Sequence, residues 1–358
     1  MALLPLGEAL AVLSPVAPGV ATPLPAGHED ERRAVMAHVA PFQSPQPARS
    51  AVQAVSTFFM FFAVVGMMYA ALGVSAWLAL ALAPVAAGLV VRVFIIQHDC
   101  GHASLFRSRW LNDWLGRACS LITLTPYSSW RRQHSLHHAV WNNLDARMPG
   151  TDIYSSCLTL AEYKALPPFQ RLARRVALHP VVALVLLPPV IFLLAYRLPL
   201  EMPRAWRRER RSVWLTNASL AAAVAGAMWC FGVVPVLLVH LPVVVLASIA
   251  GVWLFSIQHR FEDARWLHRE AWDPMTAATE GCSYLKLPRV LQWFTGSIGY
   301  HHIHHLAPRV PNYRLQDCHE SVPGLAGRAR TVTLWQALRA FRCTLWDEQS
   351  GRMVDFPG

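Results

Sequence analysis

Residues 51–91 contain no Asp, Glu, Lys or Arg, and residues 212–258 repeat that pattern. About 20 consecutive apolar residues cross a bilayer, so each block is long enough for two spans. Turn residues at Gly73 to Ser75 and at Gly232 to Pro235 divide the blocks. The expected spans are about 52–72, 75–96, 213–232 and 235–257, arranged as two helical hairpins. A third uncharged stretch, 176–196, is one span long but carries Pro188-Pro189 at its middle, where adjacent prolines remove backbone donors. It is expected to be re-entrant or interfacial.

Composition agrees with this pattern: 54% of the 358 residues are hydrophobic and only 15% charged. The predicted fold is an all-α integral membrane protein with four transmembrane helices. Residues 1–50, rich in Ala and Pro, read as a cytoplasmic, partly disordered N-terminal arm, because no basic segment precedes a cleavable apolar one. Residues 51–325 form the membrane domain and 326–358 a cytoplasmic C-terminal tail.

The net charge of +11 changes the picture only through its placement. All 32 Lys and Arg lie outside the two long blocks, Arg92 standing at the edge of the first. The turns inside the blocks carry none, so the positive-inside rule puts them outside and both termini in the cytoplasm, as in a bacterial inner membrane. The Arg-rich "PRAWRRERRS" (203–212) reads as a flank near anionic headgroups, and nucleic acid is not an expected partner. Seven scattered cysteines without a C-x-x-C pair suit reduced thiols, not a disulfide frame or a zinc site.

Candidate chemistry lies in the histidines. Nine of the 16 fall in "HDCGH" (His98, His102), "HSLHH" (His134, His137, His138) and "HHIHH" (His301, His302, His304, His305), and His259 stands in "QHRFED". On a helix, residues at i, i+3 and i+4 share a face, so each box aims several ring nitrogens at one point. His302 lies off that face. Neighbouring imidazoles repel when protonated, and a metal removes that penalty. Eight box histidines plus His259 exceed what one ion accepts, so the number implies two. All-nitrogen ligation leaves iron, zinc, copper and nickel open.

Topology tests whether the boxes meet. If 176–196 crossed fully, His301 to His305 would lie opposite His98 and His134 to His138. If it returns or lies flat, all three boxes share one side. Charge bias and metal assembly choose the same arrangement: four spans, one re-entrant or interfacial segment, and a helical cytoplasmic cap holding a di-metal site.

The three boxes in this order, with hydrophobic hairpins around them, resemble the integral-membrane fatty acid desaturases over about Phe58 to Cys318. "LTPYSSWRRQHSLHH", "WLFSIQHRFED" and "RVPNYRLQDCHE" are most similar to the acyl-lipid branch that includes delta-12 (omega-6) enzymes. The resemblance implies a non-haem di-iron centre held by His98, His102, His134, His137, His138, His301, His304 and His305, with His259 as the further ligand the family takes from the end of its last span. Two departures stand beside it: some members have a longer first box, and this branch often has a histidine where Ala103 stands. The implied activity is O2-dependent insertion of a cis double bond into a membrane-lipid acyl chain. An unactivated aliphatic C–H bond is beyond any side chain, so the metal must supply the oxidant. Histidines without a bridging carboxylate differ from the Glu-x-x-His soluble di-iron bundles.

Asp99, Asp145, Asp152, Glu262 and Asp263 are candidates to orient the imidazoles from behind. Trp130, Trp141, Trp253, Trp293 and Tyr300 are expected mainly in an interfacial belt. The chain has no nucleotide fingerprint and no haem-binding His-Pro-Gly-Gly stretch, so electrons come from an external donor, ferredoxin-like or cytochrome b5-like. Two other readings compete: a hydroxylase or carotenoid ketolase built on the same boxes, and a metal transporter. Box histidines outside the spans weigh against a transport path, and the "PNYRL" resemblance weighs against the hydroxylase.

Overall fold

The computed structural model describes residues 26–147, 157–200, 202–322, 325 and 327–357. Helix α1 (Ala26–Val39) leads to α2 (Pro47–Leu72), and a tight turn joins α2 to α3 (Ala76–Gly101). Gly73 closes α2, and the Ser75 hydroxyl accepts from the Trp77 amide to start α3. Next come α4 (Arg109–Thr123) and α5 (Tyr127–Val140), then β1 (Leu158–Thr159), α6 (Leu160–Ala165), α7 (Pro168–Ala177) and α8 (Leu187–Leu193). The second hairpin is α9 (Arg207–Phe231) and α10 (Val233–His259), turning at Gly232, whose φ of +86° favours glycine.

Among the described residues four helices, α2, α3, α9 and α10, are long and apolar enough to cross a membrane. Each starts or ends up to six residues beyond the expected span, because the helical hydrogen-bond ladder continues past the apolar block. Helix α3 buries 61% of its apolar window against the protein and α9 only 6%, so α3 is the axis and α9 the periphery. Small side chains make that possible: Ala79, Ala83, Ala86 and Ala87 are buried and let α2 and α10 approach α3 closely.

The uncharged stretch 176–196 bends, but not where the paired prolines suggest. The helix pair Pro168–Ala177 and Val182–Arg197 is bent by 55°, with the break between residues 177 and 182. Pro188 and Pro189 instead lie at the start of α8, directly after a π-helical turn at Val182–Leu186.

The remaining elements build the cap: α11 (Pro274–Glu280), β2 (Tyr284–Lys286), α12 (Arg289–Phe294), α13 (His301–Leu306), α14 (Leu315–Ser321), β3 (Thr331–Thr333), α15 (Leu334–Arg339), β4 (Leu345–Asp347) and β5 (Arg352–Val354). The described residues are mostly helical, with two small sheets. β1 pairs parallel with β4 and β4 antiparallel with β5, while β2 pairs parallel with β3. Residues 327–357, set apart as a tail by their sequence, thus complete both sheets. Residues 26–50, set apart as an arm, carry α1, whose Val35 and Val39 are buried with Ile303, Val310 and Leu325.

Candidate metal centre

Four helices deliver the nine histidines to one place. His98 lies in the last turn of α3 and His102 just past its end; His134, His137 and His138 lie on α5; His259 ends α10; His301, His304 and His305 lie on α13. The potential ligand atoms form two groups. His98, His102, His134, His138 and His304 make one, and His137, His259 and His305 make the other. His301 adds to the second, its Nε2 2.9 Å from that of His259.

The closest approaches respect this division. In the first set Nε2 atoms are separated by 3.0 Å (His98 and His304), 3.1 Å (His134 and His138) and 2.9 Å (His138 and His304). In the second set His137 lies 3.1 Å from His259 and 3.3 Å from His305. Ligands about 2.05 Å from one ion, at angles between octahedral and tetrahedral, lie about 2.9–3.4 Å apart. The spacing fits two sets of imidazoles, each able to share an ion.

Electrostatics agree. His102, His134, His138, His301, His304 and His305 are held well below the usual histidine range, first by burial and then by neighbouring imidazoles. They are neutral at pH 7 and keep a lone pair. His102 Nε2 is buried with no hydrogen-bond partner among the described residues, a costly state that a cation relieves.

Behind the imidazoles the candidates separate. Asp99 Oδ1 lies 3.4 Å from His98 Nδ1. Its Oδ2 accepts from the Asn312 backbone (2.8 Å) and side-chain amide (2.7 Å). The Asn312 carbonyl accepts from Gln53 Nε2 at 2.8 Å. Asp145 instead faces His268 and the Arg269 amide, Glu262 lies 3.5 Å from Arg352, and Asp263 lies 3.6 Å from Arg330. These three serve ion pairs at the surface, where charged side chains are cheaper to keep than behind an apolar-walled site. Asp152 lies outside the described residues.

Two tryptophans expected in a belt buttress the site instead. Trp130 stacks on His134 at 4.7 Å and 17°, and Trp141 packs 4.0 Å from the His259 ring. Helical spacing carried the signal: Trp130 is four residues before His134 and Trp141 four after His137. Cys282, 3.7 Å from His259 Nδ1, and Asn312 had no such local signal. His240 of α10 lies 3.1 Å from the Tyr69 hydroxyl of α2.

The glycines of "GSIG" (296–299), just before α13, serve packing. A Cβ on Gly299 would stand 2.4 Å from the Leu285 carbonyl oxygen, and Gly296 has φ +52° with Ile95 against it. The turn before α13 is thus clamped onto β2 and α3.

Residues 75–336 match the fatty acid desaturase family. The chain belongs to this family. The desaturase is 42% identical over 318 residues, 89% of each chain, to a fatty acid desaturase of Bacillus subtilis. It is also 26% identical over 305 residues to an sn-1 oleoyl-lipid 12-desaturase of Picosynechococcus, covering 80% of this chain and 82% of the relative. An sn-1 acyl-lipid omega-3 desaturase (ferredoxin) of Nostoc is 24% identical over 291 residues, 75% of each. The chain is an oxidoreductase with membrane-capable helices and histidine sets compatible with metal binding.

Proposed function

We propose that the desaturase holds two iron ions, one on the set of five histidines and one on His137, His259, His301 and His305, and inserts a cis double bond into a membrane-lipid acyl chain using O2. The observation that carries this reading is the convergence of nine buried or half-buried imidazoles, in two sets, at the ends of α3 and α10. A bound iron pair supplies the oxidant needed to take hydrogen from an unactivated methylene. The protein's own residues do the rest. Burial keeps the imidazoles neutral and ready to ligate, at no cost of expelling protons. Asp99, fixed by Asn312, restrains the Nδ1 side of His98 so that Nε2 points into the set. Trp130 and Trp141 cover two of the rings and exclude water.

The substrate reading is an acyl chain on a glycerolipid, oxidised at the delta-12 (omega-6) position of a monounsaturated chain. It is supported by similarity to the 12-desaturases of cyanobacteria and by membrane-capable helices, two of which, α3 and α10, end at the histidines. Electrons come from a ferredoxin-like donor, as the printed name of the Nostoc relative indicates for that enzyme. The absence of Lys and Arg from the α2–α3 and α9–α10 turns supports an inner-membrane orientation with the histidines and both termini cytoplasmic.

The test is gas chromatography with mass spectrometry of total fatty acids from a bacterium that makes only saturated and monounsaturated chains, expressing this chain or its His304→Ala variant. A new diene confined to the intact protein is the expected result, and its double-bond positions give the regioselectivity. A hydroxylated or keto product, with iron bound, would overturn the desaturation reading.

A further inference from the structure

His302 is the one histidine of α13 whose short imidazole contact lies outside the nine, and it is buried. Its Nε2 lies 2.9 Å from Nδ1 of His319 on α14, which is half-buried. Beside this pair Tyr284 and Tyr300 stack at 4.4 Å, 11° from parallel, with their hydroxyls 3.2 Å apart. The His319 ring sits 5.2 Å from Tyr284 and 5.0 Å from Tyr300. The outer edge of this cluster, Tyr284 and His319, is partly exposed. Its inner members, Tyr300 and His302, are the two residues covalently flanking His301, whose Nε2 is 2.9 Å from His259.

The proposed reaction needs such a route. Removing two hydrogens from an acyl chain yields two electrons and two protons, while reducing O2 to two waters takes four of each. Two electrons must therefore enter one at a time from a carrier, and two protons from solvent. We propose that Tyr284 and His319 mark the electron-entry face, and that the four packed rings conduct electrons from a docked acidic, one-electron iron–sulfur protein to the His301 side of the centre. This rests on the desaturase reading above. The rings serve as the medium through which the electron tunnels; no bond in them forms or breaks, and none is itself oxidised.

The rim of this face suits that partner. Lys286 lies two residues along β2 from Tyr284, on the same side of the strand, and is exposed. Arg289 is exposed on α12, three residues before Gln292 and on its face. Gln292 donates to Gln316 and Gln316 to Glu320, the carboxylate of the rim. With the chain's +11 behind it, this rim attracts an acidic carrier by long-range steering.

The experiment compares two reductants of the full-length protein in detergent or nanodiscs, with a purified bacterial ferredoxin and its reductase in one arm and dithionite in the other. For Tyr284→Leu/His319→Leu, the expected result is wild-type iron content and dithionite-driven single turnover, with ferredoxin-driven rate lowered about tenfold or more. For Lys286→Glu/Arg289→Glu, the expected result is a raised KM for ferredoxin and a weaker salt dependence at unchanged dithionite rate. Ferredoxin-driven rates equal to wild type in both variants would overturn the proposal. So would an equal fall in both arms, which marks a structural role. Wild-type protein without iron, or inactive with dithionite, would instead defeat the desaturase reading itself.

Discussion

Asn312 donates both its backbone and its side-chain amide to one oxygen of Asp99, at 2.8 and 2.7 Å. Asp99 and Asn312 are both buried, so this carboxylate has exchanged water for two fixed donors. Its other oxygen faces His98. Asn312→Leu removes one donor and leaves a buried acceptor short, a cost of about 1–3 kcal/mol. The expected outcome is a lower melting temperature and iron affinity reduced roughly 10–100-fold, as for other partners standing behind metal ligands. Iron per chain after dialysis against a graded chelator checks it; unchanged retention would detach Asp99 from the site.

His301 and His302 are sequence neighbours with opposite surroundings, the first against His259 and the second against His319. Burial and His319 push His302 down to about 3, so it is a neutral packing partner at any physiological pH. His302→Ala should keep most of the iron, and His301→Ala should lose it from the set of four. Elemental analysis of the two purified variants decides, and the reverse ranking would undo the assignment of the third box.

Gly299→Ala would drive a Cβ into the Leu285 carbonyl oxygen, a backbone atom unable to swing aside. Overpacking of this kind costs about 1–3 kcal/mol. Because Gly299 lies two residues before His301, the strain should appear both as a lower thermal midpoint and as reduced iron occupancy. A variant with wild-type values of both would show that β2 yields freely.

His268 lies between Asp145 and Glu348, 2.9 Å from each, and joins the loop after α5 to the β4–β5 turn. Those carboxylates raise its pKa above the ordinary value. The folded-state pKa therefore exceeds the unfolded one, so the contact is fully stabilising below about pH 6.5 and fades as pH climbs through the raised value. The groups are substantially exposed, so the effect is small, about 1 °C in melting temperature. Melting curves of the parent and His268→Gln should differ at pH 6 and coincide at pH 9. A gap that widens with pH would contradict the sign.

The spans were legible because uncharged runs of this length have few other uses, and the boxes because i, i+3, i+4 spacing is geometry written locally. What required the folded chain is non-local. Nothing near Asp99 announces Asn312, and Gln53 meets Asn312 across 259 positions. The prolines at 188 and 189 look like a break until a π turn places them at the start of α8. Strands of two or three residues have too little alternation to be seen, and they exist only because β1 and β2 find partners beyond residue 330. The Trp130 and Trp141 indoles have the composition of a membrane belt but the position of ring supports.

Both histidine sets draw on α13: His304 belongs to the five, His305 stands with His137 and His259, and His301 lies against His259. Neither set is complete in a chain that stops before His304, although α2, α3, α9 and α10 are by then all present. Biosynthesis therefore orders the events. The four helices long enough to span are made first and both histidine sets wait on α13, so a truncated product holding all four still lacks part of each set.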